Sequence, residues 1–222
     1  MALGLRGYLS PLMMSDIYEY LTQGVVTTTV GILIGMAANK RGSCDPSVSK
    51  MLCLHIPSLL PASFTAIDVA GPAQAAAVAG IGLLYQGSSH RLMTEFLLEE
   101  MGKRPSNDSI TVDREAYTLS CGIALGMVNL AKRDKSCGAF DGSSWNGLAD
   151  LDLRERLHRF VVGGIDDTEQ RQIQETVDRV MNSFGMPNND NERCSRIFEG
   201  VTINTDITAP GATLALGLMF AF

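Results

Sequence analysis

One apolar phrase, built from small residues, recurs along the chain and limits what it can fold into. It appears as Ala2-Leu3-Gly4-Leu5, Gly31-Ile32-Leu33-Ile34-Gly35-Met36, Ala79-Gly80-Ile81-Gly82-Leu83-Leu84-Tyr85, Gly122-Ile123-Ala124-Leu125-Gly126-Met127 and Ala212-Thr213-Leu214-Ala215-Leu216-Gly217-Leu218-Met219-Phe220. With Gly4, Gly35, Gly82, Gly126 and Gly217 as register marks, the spacings are 31, 47, 44 and 91 residues. A loose period of this size marks a repeat architecture. The last gap is about two periods with no copy near its middle, which reads as an insertion. Glycine inside a helix costs about 1 kcal/mol relative to alanine. Paying that in every unit makes sense where helix backbones approach closely. Glycines four apart share a face, so Gly31/Gly35 and Gly122/Gly126 are expected to form flat strips for a neighbouring helix. Gly80, Gly82 and Gly217 join them as candidate helix-packing residues.

More polar segments with helix signals lie between the phrases. Ser15 is placed to cap a short helix stopping at Gly24. Asp45 and Pro46 supply a cap and a first-turn proline. Ser89 is the expected cap of a helix over 90–101, stopped by Gly102, and Asp113 that of a run over 114–130. Each unit then reads as a polar-faced outer helix followed by a small-residue inner helix, the pattern of an α-α solenoid. In the insertion, Asp152 can cap a helix over 153–162 ending at Gly163, and Asp167 with Gln170 a helix reaching Phe184. Residues 188–196 are polar and are expected to form the most mobile loop, the first cut by a protease. The alternation Val201-Thr202-Ile203-Asn204 suggests a possible short β element near 201–207. Asp206 to Pro210 restarts an inner helix and echoes Asp68 to Pro72. The organisation is therefore all-α, with helical repeats over 1–142, an insertion over 143–200 and a return to a repeat inner helix over 201–222, in one domain. Both ends read as cut through a repeat, so the isolated chain is expected to self-associate.

Composition excludes several function classes. The formal charge of −6 offers no basic field for nucleic acid. The apolar runs over 25–38, 69–85, 118–131 and 207–222 hold 14, 17, 14 and 16 residues. A bilayer span needs about 20. Five cysteines without a C-x-x-C pair argue against a disulfide framework or a zinc site, and the three histidines are scattered. Cys53 and His55 lie two apart, so a helix turns them to different faces, with no acid beside them. Gly80-x-Gly82 lacks the further glycine or lysine of a phosphate loop. Lys40-Arg41 and Lys132-Arg133 follow inner helices, where positive charge suits a C-terminus. No catalytic, cofactor or metal residue is assigned.

The phrase GLLYQG at 82–87 and the Ala-Leu-Gly-Leu motifs resemble proteasome/cyclosome repeats. Residues 50–61 (KMLCLHIPSLLP), 78–91 (VAGIGLLYQGSSHR), 113–117 (DREAY) and 202–216 (TINTDITAPGATLAL) resemble in particular the cyclosome-scaffold branch of that family. The resemblance covers most of 1–142 and 197–222 and is weak over 143–196. It implies a closed or nearly closed helical ring, with the small-residue helices inside. It implies a scaffold in the anaphase-promoting complex, a multisubunit ubiquitin ligase for cell-cycle regulators found in nucleus and cytoplasm. The implied partners are other subunits of that complex, the WD40 coactivator and the Doc-domain subunit. Ubiquitin transfer would belong to other subunits. The alternatives are a proteasome regulatory-particle scaffold binding ubiquitin receptors, or a small polytopic membrane protein.

Overall fold

In a computed structural model the described residues are 1–8, 14–61, 69–103, 114–130, 148–163 and 203–220. They form helices and connectors, with no strand among them. The helices are α1 (Ala2–Leu5), α2 (Met14–Thr22), α3 (Val26–Asn39), α4 (Pro46–Cys53), α5 (Gly71–Leu84), α6 (Arg91–Gly102), α7 (Arg114–Val128), α8 (Leu153–Val162) and α9 (Thr205–Met219). The odd-numbered helices make a row in which α1 packs on α3, α3 on α5, α5 on α7 and α7 on α9. The even-numbered helices flank that row: α2 lies on α3, α4 on α3 and α5, α6 on α7, and α8 on α9. The all-α, solenoid-like expectation holds, and the small-residue phrases are the row helices.

Composition explains the two roles. α5 buries Ala73, Ala76, Ala77, Val78, Gly80, Ile81, Gly82 and Leu84, which leaves it no polar face. A helix apolar all round must be enclosed, and α5 is enclosed by α3, α4 and α7. α8 instead buries Leu153, Leu157 and Phe160, a single stripe at helical spacing. Leu33, Leu52, Ile81, Leu97, Leu98, Leu125 and Leu157 are among the fully buried core side chains. Each such side chain stabilises the fold by about 1.5–3 kcal/mol through removal from water.

The helix starts and stops are partly those the sequence signals. Asp45 caps α4, its carboxylate accepting from the Ser47 and Val48 N–H groups at 2.9 and 3.2 Å. Gly24 and Gly163 stop α2 and α8 with positive φ. α8 has the expected bounds, although Asp152 makes no side-chain cap bond. Three expectations are corrected. α2 begins at Met14, so Ser15 lies inside the helix and is not its cap. The cap of α6 is His90, whose Nδ1 accepts from Met93 N–H at 3.4 Å, and not Ser89. Ile203 and Asn204 form no strand: Asn204 caps α9 by accepting from Asp206 N–H at 3.2 Å. Four alternating residues are too few to fix a strand when the last is a cap former.

The two proline phrases also differ in place. Pro72 sits in the first turn of α5, whereas Pro210 lies within α9, where its missing N–H deprives the Asp206 carbonyl of a helical donor. The gap before α9 interposes no further row helix among the described residues, since α7 touches α9 directly. It does supply α8, which fills the flanking position on α9. Thr208 Oγ1 donates to the Phe160 carbonyl at 2.7 Å and fixes that contact. Asp113, Lys132-Arg133, the helix expected to reach Phe184 and the loop over 188–196 lie outside the described residues.

Candidate functional site

The candidate functional feature is the joint between successive row helices, repeated four times. A Cβ added at Gly4 would fall on the Gly35 carbonyl group. At Gly80 it would meet the Ala37 Cβ at 3.3 Å and Leu52 Cδ2 at 2.8 Å. At Gly82 it would meet the Ala124 Cα at 2.5 Å, and at Gly126 the Ala215 Cα at 3.0 Å. Gly35, Gly80, Ala124 and Ala215 thus look back at the preceding row helix. Ala37, Gly82 and Gly126 look forward to the next. Each helix carries its pair two residues apart: Gly35-x-Ala37, Gly80-x-Gly82, Ala124-x-Gly126 and Ala215-x-Gly217. Two residues turn an α-helix by roughly 200°, so the pair points to opposite faces. One small residue at each level, front and back, lets a helix be approached from both sides.

This arrangement corrects part of the four-residue expectation. Gly122 and Gly126 do form one strip for α9, with Gly122 against the Gly211 backbone. Gly31 does not pair with Gly35: among the described residues nothing lies within 4 Å of a Cβ placed there. α1 is a single turn, and it meets α3 at the level of Gly35 through Gly4 and Met1. Gly217 likewise has nothing within 4 Å among the described residues.

Backbone hydrogen bonds complete two joints in the same register. Gly42 N–H donates to the Leu83 carbonyl at 3.0 Å and Cys44 N–H to that of Leu84 at 3.1 Å. One unit later Gly87 N–H donates to Met127 at 2.9 Å and Ser89 N–H to Val128 at 3.0 Å. The last carbonyls of a helix lack intrahelical donors, and here the loop of the preceding unit supplies them. Reaching both requires positive φ at Gly42, Cys44, Gly87 and Ser89. A side-chain latch accompanies each joint. Ser49 Oγ and Tyr85 OH lie 2.8 Å apart, and Asn129 Nδ2 donates to Thr94 Oγ1 at 3.1 Å. In both, a flanking-helix hydroxyl meets the residue that ends the next row helix.

Titratable groups outside the joints serve packing. Buried Glu100 on α6 accepts from Tyr117 OH at 2.8 Å and from Lys103 Nζ at 3.0 Å, and Lys103 also reaches Ser58 Oγ at 3.0 Å. Burial, then the neighbouring charges of Cys121 and Glu100, holds the Tyr117 hydroxyl far above its ordinary range. Burial pushes the Cys121 thiol up as well, and does so more weakly for Cys53. His55 Nδ1 donates to the Met51 carbonyl at 3.0 Å, so that nitrogen is not free to act as a base toward Cys53. Lys40, which follows α3, lies 3.7 Å from Asp45 and holds the loop that leads into α4. At the start of α6, Arg91 Nη1 donates to Asp150 Oδ1 at 3.0 Å, and this hydrogen bond lowers the carboxyl of Asp150.

Thiolates, not thiols, react with alkylating agents. Iodoacetamide at neutral pH should therefore leave Cys121 unmodified in the folded chain and modify Cys53 slowly, with both labelled once urea unfolds it. Peptide mass spectrometry reads the outcome. Rapid labelling of Cys121 in the native protein would contradict its burial between α6 and α7.

Gly80 and Gly82 are filled by Leu52 and Ala124, which leaves no room for a phosphate at either. Among the described residues no group of three or more His, Cys, Asp or Glu side chains could hold a metal ion. No described helix is long and apolar enough to cross a membrane.

A family model described as the APC1 fifth domain matches residues 46–221, and one described as the APC1 fourth domain matches residues 1–41. The two meet between α3 and α4, across which the row continues. The chain is 42% identical over 222 residues to anaphase-promoting complex subunit 1 of Homo sapiens, covering 99% of this chain and 10% of that protein. It is 36% identical over 218 residues to the subunit 1 of Arabidopsis thaliana, covering 98% of this chain and 12% of that protein. The Dictyostelium discoideum subunit 1 is 45% identical over 161 residues, covering 72% of this chain and 7% of that protein. The chain thus spans about a tenth of the length of these relatives. With one model matching most of its residues, this chain belongs to the APC1 family.

Proposed function

We propose that this chain is a non-catalytic scaffold segment of the anaphase-promoting complex, and that it holds the WD40 coactivator and the Doc-domain subunit in position for substrate. The observation that carries this reading is the repeated joint. Matched small residues, cross-capped carbonyls and side-chain latches make a row whose parts brace one another rather than converge on a reacting atom. A stacked row transmits the placement of one unit to the next, which is the property a platform for other subunits needs. Its matches to subunit 1 proteins favour this complex over the proteasome regulatory particle. On this reading its partners are the other subunits and its location is nucleus and cytoplasm.

The test is a reconstituted ligase whose largest subunit carries Gly126→Leu. The added side chain would strike Leu218 and the Ala215 backbone and part α7 from α9. Ubiquitination of a destruction-box substrate should fall with the loss of bound coactivator. Gly31→Leu adds the same side chain into open space and should leave the rate unchanged. If the Gly126 variant assembles, binds coactivator and modifies substrate at the normal rate, the scaffold role is wrong.

A further inference from the structure

We infer that α9 carries a pivot at Pro210 and Gly211, which lets α8 and the first turn of α9 shift together while the rest of α9 stays on α7. The inference is independent of the complex in which the chain works. Proline has no N–H, so the helical hydrogen bond from residue 210 to the Asp206 carbonyl is missing. Asp206 and Pro210 are both exposed, so a bend that opens at this gap faces water and disturbs no packing. The next residue is Gly211, and glycine is the weakest helix former after proline. Sharp bends in helices gather at such residues. Among the described residues no other row helix has a proline beyond its first turn. Pro72 costs α5 no bond, because the first N–H groups of a helix have no partner within it.

The two sides of the pivot hold different partners. On the first side, Thr208 Oγ1 donates to the Phe160 carbonyl at 2.7 Å. That carbonyl belongs to the last turn of α8, where intrahelical donors run out. A Cβ at Gly163 would lie 3.0 Å from the Thr205 methyl, so the end of α8 also rests on the start of α9. On the second side, Ala215 and Leu218 pack on Gly126 of α7. Gly211 itself lies against α7: a Cβ there would meet the Thr118 carbonyl oxygen at 2.9 Å. That contact grips α9 at the fulcrum and leaves its first turn to follow α8. The other supports of α8 permit a shift. The Phe160 ring faces Gly102 at the end of α6, where a Cβ would lie 3.0 Å from Phe160 Cζ. Glycine offers the ring a smooth surface in place of an interlocking side chain. The Arg91–Asp150 pair just before α8 is exposed, and exposed pairs hold weakly.

Amide hydrogen exchange of the 222-residue chain, read by mass spectrometry, tests this. Thr208→Val removes the donor to Phe160 and keeps the side-chain shape. Exchange should quicken roughly fivefold over α8 and residues 205–209 and stay unchanged over residues 212–219. Pro210→Ala restores the missing N–H at an exposed position, and circular dichroism should show it folded. In that background Thr208→Val should quicken exchange on both sides of residue 210, because the rebuilt helix moves as one rod. Equal quickening over 205–209 and 212–219 in the single variant, or none over α8, would overturn the inference, and that result stands even if the double variant fails to fold. A change still confined to α8 and 205–209 once Pro210 is replaced would overturn it as well, since the proline would then not be the pivot.

Discussion

Gly122→Ala should destabilise the chain, and Gly31→Ala should stabilise it, although both replace glycine by alanine inside a row helix. At Gly122 the new methyl would overlap the backbone of Gly211, which cannot rotate aside. α7 and α9 would have to separate, and overpacking of this kind costs about 1–3 kcal/mol or more. Alanine returns about 1 kcal/mol of helix propensity at either position. At Gly31 no described residue opposes that gain, since none has an atom within 4 Å of the new methyl. The sign of the change separates the two sites, and urea melts of both variants give it. If Gly122→Ala is as stable as the parent, α7 and α9 are not in backbone contact.

Gly87→Pro should lower stability by about 3 kcal/mol or more, and Gly87→Ala by about 1–2 kcal/mol. Gly87 has φ +67°, and a Cβ there meets nothing within 4 Å. Alanine therefore suffers the left-handed conformation alone. Proline cannot adopt that φ and also removes the N–H that bonds the Met127 carbonyl at 2.9 Å. The difference between the two variants reports the cross-cap together with the turn that aims it. Thermal melts in which proline is no worse than alanine would show that the cap contributes nothing to the joint.

Much of the architecture was legible because its causes are local. Asp45-Pro46 announces a helix start, the stripe Leu153, Leu157, Phe160 announces a one-sided helix, and the all-apolar phrases announce enclosed ones. The joints were less legible because their causes lie a full unit away. Ser89 has the composition of a cap, yet its N–H and left-handed backbone serve Val128, 39 residues later, and capping passes to His90. Glycines at four-residue spacing define one face. The operative spacing is two, which defines a front and a back, and no rule for a single interface asks for it. Gly31 follows the same compositional pattern as Gly122 and differs only in what stands opposite.

The loop that caps the next row helix fixes the length by which such a row can change. Gly42 and Gly87 are the same point in successive loops, 45 residues apart. Excising residues 42–86 would join Arg41 directly to Gly87, leave the donors to Met127 and Val128 intact, and set Ala37 against Ala124. A cut of the same length over residues 46–90 would keep Gly42 and Cys44 as the donors and bring Asp45, the cap of α4, to the place of His90 before α6. Loss of a whole period thus keeps the cross-cap donors but brings the Ala37 methyl to the place of Gly82, where a Cβ meets the Ala124 Cα at 2.5 Å and α3 cannot approach α7 as closely as α5 does. Lengthening or shortening of such a row is expected to step by the 45-residue distance between the loop glycines, with a glycine needed wherever the forward face meets Ala124.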